Sequence, residues 1–221
     1  MTRVVLALAV VLAACGGTPE EPAADPAVEA AGAASPEAAV TSVMRGIDDA
    51  DGALLEAMTV TDQLPLVALV EGATPVEAAA ALGFASEQVA SQFWQSFANG
   101  IEDFLGAAVA DIRIGEVRTI DVPGARYAGV EVMFPLDNAE RSFVVTDRNG
   151  WQVDLIATFP GAFLPNIDSA LDRASSPSAD PEVAASIRSQ IDSLDALEAI
   201  GVPPELADAY ASARAAITDA G

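Results

Sequence analysis

The apolar residues of this chain change their spacing twice, and nothing else in the sequence constrains the fold as much. In the first half they recur at helical intervals. Val40, Val43, Met44 and Ile47 form one stripe, and Val89, Phe93, Phe97, Ile101, Phe104 and Leu105 form a wider one, with Trp94 at its edge. Beyond Ile112 the apolar residues alternate with other residues, as they do in strands with one buried face. Ala128, Val130, Val132 and Phe134 alternate with Tyr127, Gly129, Glu131 and Met133, and Trp151, Val153 and Leu155 alternate with Gln152 and Asp154. From Pro160 the helical spacing returns. Helices, then strands, then helices predict an α+β fold: N-terminal helices packed on a curved, mainly antiparallel four-stranded sheet, followed by a C-terminal helical hairpin.

The punctuation supports this order. Ser35-Pro36-Glu37 supplies an N-cap, a proline for the first turn and an acid beside it. Asp48-Asp49-Ala50-Asp51-Gly52 breaks that helix, and Asp51 can cap a second one carrying Leu54, Leu55 and Met58. The acid cluster fails as an EF-hand, because Gly52 at the sixth position would put Ile47 at the first and Met58 at the twelfth. Leu64 to Val70 is a short apolar run, Thr74-Pro75-Val76-Glu77 caps a short helix ending at Gly83, and Ser86 opens the long aromatic helix. The alternation slips at Gly115-Glu116, which predicts a bulge, and Asp147-Arg148-Asn149-Gly150 predicts a hairpin. Further on, Val183, Ile187, Ile191, Leu194, Leu197 and Ile200 make one stripe, and Leu206, Tyr210, Ala213 and Ile217 make another after the Gly201-Val202-Pro203-Pro204 turn. These two helices are expected to pack back on the main body.

Composition excludes whole classes of chemistry. All ten basic residues are Arg, and the chain has no His and one Cys. Without His there is no Ser-His-Asp triad and no imidazole metal site; without Lys there is no Schiff base and no P-loop lysine. One Cys makes no internal disulfide. The formal net charge of −23 argues against nucleic acid as a partner. No metal and no cofactor is expected.

The N-terminus reads as a targeting segment. Arg3 precedes an apolar run from Val4 to Ala14, too short to span a bilayer. The run ends Leu12-Ala13-Ala14-Cys15, followed by Gly16-Gly17, and this resembles the lipobox of bacterial lipoproteins. The resemblance implies a signal peptide over residues 1–14, cut before Cys15, and a Cys15 that becomes the new N-terminus and carries lipid on its sulfur (acyl chains such as palmitate). It also implies a protein anchored outside the cytosol, on the outer face of the plasma membrane or the periplasmic side of an outer membrane. Lipid chains stabilise such anchoring by about 0.8 kcal/mol per buried methylene. Charge does not help, since the mature chain sets nine Arg against 33 acids and anionic head groups repel it. Gly16 to Ser35 is rich in Ala, Pro, Gly and Glu, and is expected to be a disordered tether between Cys15 and a domain over residues 36–160, with a helical extension over residues 161–221.

A capped helix, an Asp-led second helix, a long aromatic helix and a sheet ending Asp147-Arg148-Asn149-Gly150-Trp151-Gln152-Val153 together resemble the cone-shaped nuclear-transport-factor-2-like (cystatin-like) superfamily. The resemblance implies a sheet curled around the long helix, with Phe93, Phe97 and Ile101 facing Val130, Val132, Phe134 and Val153 across a conical pocket. Enzymes of that superfamily use pocket acids, His and Tyr. Here His is absent and Tyr is limited to Tyr127 and Tyr210, so the remaining candidates are carboxylates such as Glu131 and Asp154, whose strand phase points them away from the apolar face. The five Arg between Arg113 and Arg148 alternate with acids, as cross-strand ion pairs on a solvated sheet do. The expectation is a non-catalytic envelope lipoprotein that binds a small apolar ligand or an envelope protein. Two alternatives are a member of the same fold with an Asp or Glu general base, and a structural subunit docking through its C-terminal helices.

Overall fold

The computed structural model describes residues 32–70, 111–133, 140–175 and 181–219. Elements are numbered here within those residues. α1 (Pro36–Asp48), α2 (Gly52–Met58) and α3 (Leu64–Val70) precede strands β1 (Arg113–Val122), β2 (Ala125–Met133), β3 (Glu140–Asp147) and β4 (Trp151–Val153). The helices α4 (Leu155–Thr158), α5 (Pro160–Phe163), α6 (Ile167–Ala174), α7 (Pro181–Arg188), α8 (Ile191–Ile200) and α9 (Ala207–Asp219) follow. The fold is α+β. Its four strands form an antiparallel meander in the order β1-β2-β3-β4. Cys15, the short helix expected at 74–83, and the long aromatic helix with Phe93, Trp94, Phe97 and Ile101 lie outside the described residues, as does Phe134.

Local signals formed what they predict. Ser35 Oγ accepts from the Ala38 N–H at 3.2 Å and opens α1; Asp51 Oδ1 accepts from the Leu54 N–H at 3.1 Å and opens α2. The β1–β2 register shifts between Ile114 and Val117, so Gly115 and Glu116 form the expected bulge. Gly150 turns the β3–β4 hairpin at a φ of 115°, a conformation that favours glycine.

Three expectations are corrected, and one apolar run gains its element. β4 ends at Val153, and Leu155 begins a helix instead of continuing the strand. The run Leu64 to Val70 is itself a helix. Its residues are apolar on every side because it packs against α6 and α7, which leaves Leu64, Leu66 and Leu69 buried. The stripe Val183 to Ile200 is carried by two helices broken at Ser189-Gln190. Finally, the end of the tether is part of the fold. Ala33 exchanges both backbone hydrogen bonds with Trp151, at 2.9 and 2.8 Å, and the Val60 N–H donates to Val153 at 3.0 Å. These two segments cover the free side of β4, where an unpaired edge would invite foreign strands.

Each face of the sheet carries a helix. Ala128, Val130, Val132, Val145 and Val153 share one face, packed under α1, which touches all four strands. Tyr127, opposite Ile120 and Thr146, belongs to the other face, which α8 covers. Tyr127, Ala128 and Val130 are all buried, so neither phase of β2 is left to solvent at its centre. Val183, Ile187, Leu194 and Leu197 of α7 and α8, and Ala213 and Ile217 of α9, join the same hydrophobic cluster as the sheet.

Candidate functional site

The one buried acid among the described residues is Asp154, and it lies where β4 hands the chain to α4. Its phase on the strand had predicted solvent exposure. That reading assumed a sheet with one covered face; with α8 on the second face, Asp154 is fully enclosed. Its carboxylate is occupied from three directions. Oδ1 accepts from the Ala157 N–H at 2.9 Å, capping α4. Oδ2 accepts from the Ser193 hydroxyl of α8 at 2.7 Å and from the Tyr127 hydroxyl of β2 at 3.1 Å.

Gln63 completes the cluster. Its Nε2 donates to Ser193 Oγ at 3.0 Å, and its Oε1 accepts from the Leu155 and Ile156 N–H groups at 2.9 and 3.4 Å. Asp154 and Gln63 together therefore satisfy the first three backbone donors of α4, which a helix start leaves without intrahelical partners. The cluster joins β2, β4, α4, α8 and the turn before α3. Burial, and then the Asp154 charge beside it, push the Tyr127 hydroxyl far above the usual tyrosine range. A phenol held protonated against an acceptor is a donor and a brace, not a base.

The other acids and tyrosine named from sequence lie apart. Glu131 is half-buried, and its Oε2 accepts from the Glu116 N–H at 3.3 Å, closing the bulge. Tyr210 sits on the α8–α9 seam, donating to Glu198 Oε2 at 2.6 Å; partial burial, and then that contact, push it up to about 12. Arg126 pairs across the strands with Asp147 and stacks over Trp151 at 5.4 Å from the ring centroid. Arg148 pairs with Asp62 at 2.6 Å, tying the hairpin to the turn before α3.

Of the residues expected to line a conical pocket, the described ones are Val130, Val132 and Val153, and each is 0 % exposed within the packed core. Two clefts open among the described residues, and both lie elsewhere. One, of about 250 Å³, is bordered by Pro36, Val117, Thr119, Asp121, Arg126 and Trp151. The other, of about 210 Å³, is bordered by Glu116, Arg118, Gly129, Glu131, Arg141 and Ser142. Neither reaches Asp154. Among the described residues no group of three acids, His or Cys is placed to hold a metal, and no helix is long and apolar enough to cross a membrane.

Comparison with known protein families, with curated proteins and with solved structures finds no match.

Sequence reasoning missed the Tyr127–Asp154–Ser193–Gln63 cluster. One signal for it was present: Asp154 stands immediately before the apolar run Leu155-Ile156-Ala157, the position of an N-cap.

Proposed function

We propose that this chain is a lipid-anchored protein of the cell envelope whose folded body is a non-catalytic module that binds another envelope protein. The observation that carries the anchor is Leu12-Ala13-Ala14-Cys15 closing a short apolar run behind one Arg. Lipid on Cys15 holds the chain at a membrane surface that its own negative charge would otherwise leave.

The geometry of the body supports binding over catalysis. A general base needs an open path to a substrate proton. Asp154 is 0 % exposed with three donors around it, and neither of these clefts reaches it, so its role is to join elements. Both clefts fall below the roughly 300–1,000 Å³ of small-molecule sites, and both are rimmed with charge. That favours a protein partner over a small apolar ligand. The stripe on α7 and α8 is used internally, since Val183, Ile187, Leu194 and Leu197 are buried, and this counts against docking through the C-terminal helices. Sixteen residues separate Cys15 from the docked Gly32. Fully extended, they place the hairpin end of the sheet no more than about 55 Å from the bilayer.

The test is detergent phase separation of the full chain produced in bacterial membranes, with the intact mass measured on the same material. The wild type should enter the detergent phase and carry a mass increment of diacylglycerol plus acyl chain on Cys15. Cys15→Ala should move to the aqueous phase without that increment. Equal partitioning of the two forms would refute the anchor.

A further inference from the structure

Strand β1 carries an order of charges that is antisymmetric about Val117. In Arg113-Ile114-Gly115-Glu116-Val117-Arg118-Thr119-Ile120-Asp121, each acid has an arginine at the same distance on the other side of Val117: Glu116 with Arg118, and Asp121 with Arg113. Antiparallel pairing of a strand with its own copy about a two-fold axis places residues equally distant from the axis opposite each other. A strand with this order is therefore its own electrostatic complement.

Among the described residues that strand is an edge. β2 lies on one side of β1, and among the described residues no strand lies on the other. The opposite edge of the sheet, by contrast, is covered by Ala33 and by Thr59-Val60. Glu116, Val117, Arg118 and Thr119 are all exposed, Val117 at 36 %. Among the described residues the side chains of Glu116 and Arg118 enter no ion pair. The bulge selects which charges can meet. It resets the alternation between Ile114 and Val117, which puts Arg113 and Asp121 on opposite faces of the sheet. Glu116 and Arg118 stay together on one face, where both border the same cleft.

We infer that β1 is a self-association edge: a second copy of this chain adds its β1 antiparallel about a two-fold axis through Val117, with Glu116 of each copy facing Arg118 of the other. The two sheets of four strands become one continuous sheet. Main-chain hydrogen bonds supply the attraction, and the two symmetric ion pairs set the register.

Sedimentation velocity on the full chain in detergent micelles reads the dimer dissociation constant. Glu116→Arg and Arg118→Glu each create two like-charge contacts across the axis and should weaken dimerisation by about tenfold or more. The double reversal Glu116→Arg/Arg118→Glu restores opposite charges in the reverse sense and should return dimerisation to the wild-type level; it must fold to do so. In a Cys15→Ala background, Val117→Cys should form a disulfide-linked dimer on mild oxidation. Thr119→Cys should not, because the axis leaves the two copies of residue 119 about 13 Å apart along the strand. A chain that stays monomeric at its highest soluble concentration would overturn the inference. So would single reversals without effect, a double reversal that fails to restore the dimer, or Thr119→Cys linking as readily as Val117→Cys.

Discussion

Asp154→Ala tests whether the buried cluster is a brace. The substitution removes the N-cap of α4, the Asp154 Oδ1 acceptor 2.9 Å from the Ala157 nitrogen, and cap removal costs about 1 kcal/mol. It also leaves the hydroxyls of Tyr127 and Ser193 without the acceptor they share. A buried donor stripped of its partner costs about 1–3 kcal/mol, and Tyr127, packed in the core, has little freedom to find another. Removing a buried charge recovers part of this, because its desolvation opposed folding. The balance is a loss of about 3 kcal/mol. Asp154→Asn should cost about half as much, since its oxygen can still cap α4 while its amide meets two hydroxyls that must turn to accept. In urea unfolding at a slope of about 2 kcal/mol per molar, the Ala variant should lower the midpoint by about 1.5 M and the Asn variant by roughly half that. Ala within about 0.5 kcal/mol of the wild type, or Asn as costly as Ala, would show that the cluster does not hold these elements together.

Two further substitutions probe the tether and the phenol. A Cβ at Gly32 would stand 2.6 Å from the Gly150 carbonyl carbon and 2.8 Å from the Trp151 oxygen, backbone atoms that cannot swing away. Gly32→Ala should therefore undock Ala33 and speed amide exchange at Trp151, whose N–H donates to Ala33 at 2.8 Å; unchanged exchange there would show that the segment is not held. Tyr127 keeps its proton in the native state, through burial and the Asp154 charge, at pH values where the unfolded chain has lost it. That contribution is whole below about pH 10, the ordinary tyrosine value, and is lost as pH rises beyond it. Between about pH 10 and 12 the wild type should lose stability more steeply than Tyr127→Phe, with Tyr210 as a background common to both; parallel curves would contradict the burial argument.

What was legible in the sequence was local. Ser35 and Asp51 cap helices because the donors they satisfy lie three residues on. The bulge at Gly115-Glu116 and the turn at Gly150 follow from the phase of a few neighbouring residues. The α+β class followed from spacing alone. What was not legible depends on which elements lie over the sheet. Phase along β2 and β4 sorts residues into two faces but does not say that each carries a helix, so Tyr127 and Asp154 read as solvent-facing until α8 is placed over them.

Asp154 belongs to both kinds of information, and its position explains why. Its Oδ1 bond spans three residues and sets the start of α4, as any N-cap would. Its Oδ2 bonds reach Tyr127, 27 residues earlier, and Ser193, 39 residues later. The local bond orients the carboxylate, so the remaining oxygen is aimed at the face that α8 covers. A hydroxyl on α8 that finds this acceptor, with Gln63 behind it, favours one placement of the helix over any that merely buries Leu194 and Leu197. Apolar packing is tolerant of small sliding motions, whereas a shared buried acceptor is not. The same residue thus ends the strand, starts the helix and selects the position of an element from the far end of the chain.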